Sequence, residues 1–147
     1  MAGCFTTTAS LLSCTVTLSP VRAGQSSRYQ FPQGIASADP QPDAILLWTR
    51  VIDTQSDATV SIGMQLSSDQ AFDSIIAEKS LTAGPDSDHT VRCFVDGLEA
   101  DQWYYYRFIT PDGYASRTGR TRTAPAPDAD TNLNIAMFSC QNYESGY

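Results

Sequence analysis

The chain has 147 residues, which is enough for one ordinary domain or for one small domain with short flanking segments. A hydrophobic fraction of 41% and an aromatic fraction of 10% can build a core, and so exclude a chain that is disordered throughout. Nine Lys and Arg residues stand against sixteen acids, and the net charge of −7 excludes binding to nucleic acid through a basic face. No apolar run reaches the roughly 20 residues that cross a bilayer, so no transmembrane segment is predicted.

Residues 1–24 differ in composition from the rest of the chain and are interpreted as a leader. The segment is rich in Thr, Ser, Leu and Ala, contains no acid, and ends in VRAG, which is similar to a small-residue cleavage site. The first cation is Arg22, so the basic start of a secretory signal is absent, and residues 11–14 (LLSC) match a lipoprotein box only weakly. Export to the medium, the periplasm or the cell envelope is expected, with a disordered or misassigned start as the alternative.

Residues 29–124 are predicted to form an all-β domain. Short segments with alternating or continuous apolar residues are separated by clusters of Gly, Pro, Asp and Ser, and no long helical pattern lies between them. This spacing is typical of a β-sandwich. The predicted strands are residues 31–38, 44–51, 58–66, 76–82, 90–95, 103–110 and 116–123. Pro32 assigns the first strand to an edge, and the apolar character of residues 44–51 assigns the second to the centre of a sheet.

A local signature refines this fold prediction. Leu98 lies six residues before Tyr104, across a short polar corner at residues 99–102. This arrangement resembles the tyrosine corner of immunoglobulin-like and fibronectin type III domains, in which the tyrosine hydroxyl bonds to upstream backbone. The resulting register places Tyr104, Tyr106 and Phe108 in the core, and Trp48 is expected as their neighbour.

The same register turns Trp103, Tyr105 and Arg107 outward. A Trp, a Tyr and an Arg side by side on a sheet face are typical of a docking surface. We therefore expect this face to pack on a following domain.

Other reactive side chains have structural interpretations. The arginines at 117, 120 and 122 are compatible with phosphate binding, but solvated strand edges or ion pairs to a following domain are favoured. The single histidine, His89, is interpreted as structural or surface-exposed, because metal ligands come in clusters. Cys93 belongs to the core by register.

The last residues of the chain have a different character. Leu133, Ile135, Met137 and Phe138 are predicted to form a short buried strand, and the polar residues 139–142 follow it directly. Open α/β sheets present ligands at the carboxyl ends of their strands in this way. Residues 125–130 are interpreted as an Ala/Pro linker, and residues 131–147 as the start of a second domain that is truncated here.

Several motifs, in order along the chain, resemble the PhoD-like alkaline phosphatase and phosphodiesterase family. They are residues 31–40 (FPQGIASADP), 47–50 (LWTR), 88–91 (DHTV), 97–98 (GL), 103–108 (WYYYRF), 119–125 (GRTRTAP) and 138–143 (FSCQNY). One departure is Ala38, where the family more often has Gly. The resemblance therefore covers residues 31–147.

The resemblance implies a fold and an activity. It implies an N-terminal fibronectin type III- or immunoglobulin-like domain, followed by an α/β metallophosphoesterase domain. Such enzymes hydrolyse phosphate monoesters and diesters, phospholipids among them, with iron and calcium at the active site. Members are usually exported, commonly through a twin-arginine signal, and the leader of this chain has no Arg-Arg pair.

One metal ligand is implied within the chain. Cys140 matches the family cysteine at the end of the first catalytic strand, which resembles a ligand to the ferric ion. A lone cysteine is more often a small buried hydrophobe, but the polar residues 139 and 141–143 around this one suit a site better. A thiolate is a strong ligand for a transition metal. The other ligands would lie beyond residue 147, so no catalytic residue is assigned here.

Two functions are therefore weighed. In the first, the chain is the accessory domain and first catalytic strand of an exported phosphatase, inactive alone, with its own catalytic domain as partner and a phosphate ester as substrate. In the second, it is a stand-alone sandwich that binds a carbohydrate, lipid or protein through its aromatic face.

Overall fold

The computed structural model describes residues 27–137, which form two antiparallel sheets packed face to face. The strands are β1 Tyr29–Gln30, β2 Ile35–Ala38, β3 Ala44–Arg50, β4 Ile52–Asp53, β5 Val60–Ser67, β6 Ile75–Ala83, β7 Thr90–Asp96, β8 Trp103–Ile109 and β9 Gly119–Arg122. One sheet has the order β2-β3-β7, the other has the order β6-β5-β8-β9, and β1 pairs with β4. A short 3-10 helix, Pro85–Ser87, precedes β7. The predicted all-β, immunoglobulin/fibronectin type III-like sandwich is confirmed.

The core lies between the inner faces of the two sheets. Residues that alternate along β5 and β7 point inward, as the period of two in their sequences predicts. The largest fully buried side chains are those of Phe108, Ile45, Leu47, Ile62, Met64, Leu66 and Ile109. Strand β3 is the centre of its sheet, as predicted, and its odd-numbered residues are buried.

The tyrosine corner is present. The hydroxyl of Tyr104 accepts a hydrogen bond from the backbone N–H of Glu99 at 3.0 Å. Tyr104, Tyr106 and Phe108 are all buried, and the Tyr106 and Phe108 rings meet edge to face at 6.4 Å. The corner therefore sets the register of β8 as the sequence predicts.

The position predicted for Trp48 is wrong. Trp48 lies on the outer face of β3, because it follows Leu47, which is fully buried, and consecutive side chains of a strand point to opposite faces. The apolar run of residues 44–51 hides this alternation, since Leu46 and Trp48 on the outer face are as apolar as their buried neighbours.

The first predicted strand is shorter than expected. Residues 31–34 form a turn, in which the Gly34 N–H donates to the Phe31 carbonyl at 2.9 Å. Gly34 has a φ of 70°, a conformation that glycine adopts without steric cost. Pro32 therefore lies in a turn, and only Ile35–Ala38 pairs with β3, at the edge of the sheet. The last predicted strand is likewise reduced to Gly119–Arg122.

The burial predicted for the apolar residues after position 130 is corrected. Leu133, Ile135 and Met137 are exposed by 67, 83 and 91%, and they belong to no strand. A strand forms only where a neighbour pairs with its backbone groups, and no described strand pairs with this segment. Residue 138, the polar residues 139–142 and the leader lie outside the described residues.

Candidate interaction surfaces

The outer face of the four-stranded sheet carries an aromatic–arginine face, formed by Trp103, Tyr105 and Arg107 of β8 with Arg120 and Arg122 of β9. In the register of the two strands, Trp103 pairs with Arg122 and Tyr105 with Arg120. Trp103 is 47% exposed, and Tyr105 and Arg107 are half-buried. The outward orientation predicted for the three β8 residues is confirmed.

The arginines of this face are already engaged with neighbouring side chains. The guanidinium of Arg120 lies 4.3 Å from the centre of the Trp103 ring, and that of Arg122 lies 5.4 Å from it. Arg122 also pairs with Asp101 at 2.6 Å. Such stacking contributes about 0.5–1 kcal/mol per pair at exposed sites. The indole and both guanidinium groups therefore have partners within the domain.

Arg107, farther along β8, also contacts an aromatic ring and a polar side chain of the domain. Its guanidinium lies 3.9 Å from the centre of the Phe72 ring, and its Nε donates to the side-chain oxygen of Gln65 at 2.8 Å. Burial lowers the pKa of Arg107, an effect that the nearby carboxylate of Glu78 opposes. These contacts explain why Gln65 is buried although it faces outward.

The outer face of the three-stranded sheet carries a second surface, the apolar face, which sequence reasoning missed. Two rungs of the sheet form it: Ala36, Trp48 and Arg92 in one, Ala38, Leu46 and Phe94 in the next. Phe94 is 44% exposed, and Trp48 and Leu46 are half-buried. The sequence could have predicted the outward position of Phe94, because it lies between Cys93 and Val95, which both face the core.

A hollow of about 370 Å³ lies at one end of the sandwich. Phe31 and Tyr114 stack there with ring centres 6.2 Å apart, and Gln33, Ser116 and Arg117 line the same hollow. Arg117 thus lies apart from Arg120 and Arg122, so the three arginines do not form one phosphate-binding cluster.

The described residues 27–137 contain no group of three His, Cys, Asp or Glu side chains that could hold a metal ion. His89 is buried, and its Nε2 lies 2.8 Å from a carboxylate oxygen of Asp57. Cys93 is a free thiol in the core, and burial raises its pKa while nearby Lys79 opposes the shift. Cys140, the implied ferric ligand, lies outside the described residues.

Hydrogen bonds hold the chain to the sandwich as far as Ala124. The hydroxyl of Thr123 donates to the Glu99 carbonyl at 2.7 Å and accepts from the Gln102 N–H at 3.0 Å. The Ala124 N–H then donates to the carbonyl of Gln41, between β2 and β3, at 3.0 Å. Residues 131–134 line a groove together with Pro40, Asp101 and Arg122, so this stretch lies beside the β2–β3 connection and the end of β9.

Comparisons with known proteins point to one family. The family described as PhoD-like phosphatase, N-terminal domain, matches residues 16–125. The chain is 37% identical over 128 residues to alkaline phosphatase D of Bacillus subtilis (strain 168), a match that covers 82% of this chain and 22% of that protein. A solved structure of PhoD is 35% identical with a TM-score of 0.67, covering 74% of this chain and 22% of the other. The chain thus spans about a fifth of the length of these relatives.

A more distant match shows the fold alone. The sensor domain of the anti-sigma factor RsgI4 of Pseudobacteroides cellulosolvens is 10% identical with a TM-score of 0.51, and the match covers 69% of this chain and all of that domain. Among the residues that the structure describes, no helix is long and apolar enough to cross a membrane.

Proposed function

The chain belongs to the family of PhoD-like phosphatase N-terminal domains, and from that membership we propose that it is the accessory domain of an exported, metal-dependent phosphoric ester hydrolase of the alkaline phosphatase D type. The observation that carries the proposal is the family match over residues 16–125, which spans the whole sandwich. The substrate class is a phosphate monoester or diester.

We divide the chain accordingly. Residues 1–24 are the leader, residues 29–124 the sandwich, residues 125–130 the connection, and residues 131–147 the first part of the catalytic domain. The bonded exit at Thr123 and Ala124 supports a boundary at this point, because the hydrogen bonds between the chain and the sandwich reach Ala124. The leader supports export to the periplasm, the cell envelope or the medium.

Iron and calcium belong to the catalytic part of this proposal. The described residues supply no cluster of ligands, so the metal ions would be held by residues outside the sandwich. Cys140 is the residue of this chain that we assign to iron. Its thiolate would supply charge and a strong bond to a transition metal. The sandwich itself binds its catalytic domain and no metal.

A kinetic experiment tests the proposal. The purified 147-residue chain, supplied with iron and calcium, is expected to show no turnover of p-nitrophenyl phosphate, because one thiolate cannot hold a catalytic metal site. A polypeptide that continues into the catalytic domain is expected to hydrolyse the same ester. Activity of the short chain, or inactivity of the metal-loaded long one, would contradict the proposal.

The alternative is a stand-alone binding module. The exposure of Trp103 favours it, since its indole is accessible to a ligand. Titrating the 147-residue chain with oligosaccharides or lipid vesicles, while following tryptophan fluorescence, distinguishes the two. A saturable change that is lost in a Trp103→Ala variant would favour the module.

A further inference from the structure

We propose that the apolar face, and not the aromatic–arginine face, is the surface on which the following catalytic domain packs. This inference rests on the proposed function, and it names the contact through which that function is organised. Its occupant is the domain that continues this polypeptide, which presents an apolar patch with an acidic group opposite Arg92.

The chemistry of the apolar face is that of an interface core. Trp48 and Phe94 are aromatic, and interface cores are enriched in aromatic residues and arginine and depleted in other charged residues. Beside them on β2 stand Ala36 and Ala38, whose side chains are too short to cover Trp48 and Leu46 in the adjacent strand. The two rungs therefore leave Phe94 exposed and Leu46 and Trp48 partly exposed on the outer face of the sheet.

The aromatic–arginine face has the same residue types, but its charged groups already have partners. Two guanidinium groups lie over its indole ring, one of them is paired with Asp101, and Arg107 is bonded to Gln65. A partner that packed there would have to displace or desolvate groups that already have partners, which costs free energy. The apolar face offers apolar area without that cost.

The path of the chain identifies the occupant. Ala124 bonds to Gln41, in the connection that joins Ala38 to Ala44, and the Ala38–Leu46–Phe94 rung lies at that end of the sheet. The chain therefore leaves the sandwich at the end of the sheet that carries the apolar face, where the end of β9 meets the β2–β3 connection. Leu133, the first large apolar residue beyond the exit, lines a groove together with Pro40, Asp101 and Arg122.

The length of the relatives also supports a continuing domain as the occupant. The phosphatase relatives are several times longer than this chain, which covers 22% of them, so a further domain is expected in the same polypeptide. A connection as short as residues 125–130 gives that domain a high effective concentration at the sandwich. A small apolar face is then sufficient for docking.

Arg92 adds charge specificity. It lies in the same rung as Trp48 and is exposed, and no ion pair of Arg92 occurs among the described residues. A carboxylate on the docking domain would pair with it at the rim, where a charge contributes more to orientation than to affinity.

The test uses the long polypeptide and two variants of matched exposure, Phe94→Lys on the apolar face and Trp103→Lys on the other. Cleavage of residues 125–130 by a broad-specificity protease measures docking, because a docked domain shields the connection. We expect Phe94→Lys to speed cleavage about tenfold or more, equivalent to about 1.4 kcal/mol of docking free energy. Trp103→Lys is expected to leave the rate unchanged. The denaturation midpoint of the 147-residue chain with Phe94→Lys, unchanged from that of the unaltered chain, shows that the sandwich still folds.

Three other outcomes would contradict the proposal. Faster cleavage with Trp103→Lys alone, or no effect of Phe94→Lys, overturns the proposal. A dimer that Phe94→Lys converts to a monomer without faster cleavage also overturns it, since the face would then join two copies. Turnover of p-nitrophenyl phosphate by the same long protein reports separately on the proposed function. If the enzyme is active and Phe94→Lys leaves the cleavage rate unchanged, this inference is wrong and the proposed function still stands.

Discussion

At the scale of single residues, a glycine is required at position 119 because the side chain of Tyr106 lies close to it. A Cβ placed on Gly119 would lie 2.8 Å from the hydroxyl oxygen of Tyr106 and even closer to carbon atoms of its ring. The ring cannot move away easily, because Tyr106 is buried in the core. Burial raises the pKa of Tyr106, and a hydrogen bond with Ser37 of the facing sheet opposes that shift.

We predict that Gly119→Ala destabilises the sandwich by about 1–3 kcal/mol, the usual cost of forcing extra volume into a packed site. Urea denaturation of the 147-residue chain, followed by near-UV circular dichroism, measures the change. The matched control is Thr118→Ala, an exposed neighbour, which is expected to change stability by less than about 0.5 kcal/mol. Equal stabilities for the two variants would contradict this explanation of the glycine.

At the scale of elements, the loop between β5 and β6 is organised by Asp69. Its carboxylate accepts hydrogen bonds from the backbone N–H groups of Asp73 at 3.2 Å and Ser74 at 2.7 Å. Burial alone would raise the pKa of Asp69, but these bonds and one from Ser67 outweigh it and lower the pKa below the ordinary 3.8. The ionised form therefore stabilises the loop.

The pH dependence of stability follows from this shift. Because the folded-state pKa of Asp69 is depressed, its contribution is complete well above the unfolded-state pKa of 3.8 and is lost as the pH falls through the folded-state value. We expect Asp69→Asn to lower the denaturation midpoint at neutral pH and to reduce its fall between about pH 5 and pH 2. Asp130→Asn, at an exposed position, serves as the control, and an unaltered acid slope in Asp69→Asn would contradict the assignment.

The edge of the three-stranded sheet is protected by a neighbouring element. Strand β7 pairs with β3 on one side only, and Lys79 of β6 donates to the Phe94 carbonyl at 2.6 Å on the other. Charged side chains of this kind keep an open edge from pairing with other chains. The apolar face is thus bordered by an edge that resists strand addition, which is compatible with docking through side chains.

At the scale of the whole molecule, the sandwich has a filled core, whereas the described residues 131–137 that follow it are exposed. The side chains of Leu133, Ile135 and Met137 lie in solvent, whereas those of the sandwich fill its core. Exposed apolar side chains in succession promote association between chains.

We expect deletion of residues 131–147 to make the chain more monodisperse, as measured by size-exclusion chromatography with light scattering. The denaturation midpoint should stay within error, because none of the described residues 131–137 belongs to the sandwich core. The triple variant of the full chain with Ser at positions 133, 135 and 137 is a control for length. Unchanged association in both variants would contradict the role given to these side chains.

Much of this architecture was predictable because it is local. The period of two along β5 and β7 assigned their buried faces, and the spacing of six from Leu98 to Tyr104 predicted the corner that fixes β8. Clusters of Gly, Pro and Asp predicted the turns. By itself the sequence thus determined the all-β class, the core of β8 and its outward side chains, and the motifs on which the family resemblance rests.

Only the tertiary structure decided how the outward side chains are used. Whether Trp103 is free or stacked depends on Arg120 and Arg122 in another strand, and whether Trp48 is covered depends on the short alanines of β2. Such contacts join residues distant in sequence, and no local pattern encodes them. The apolar face therefore became visible only once β2, β3 and β7 were placed side by side.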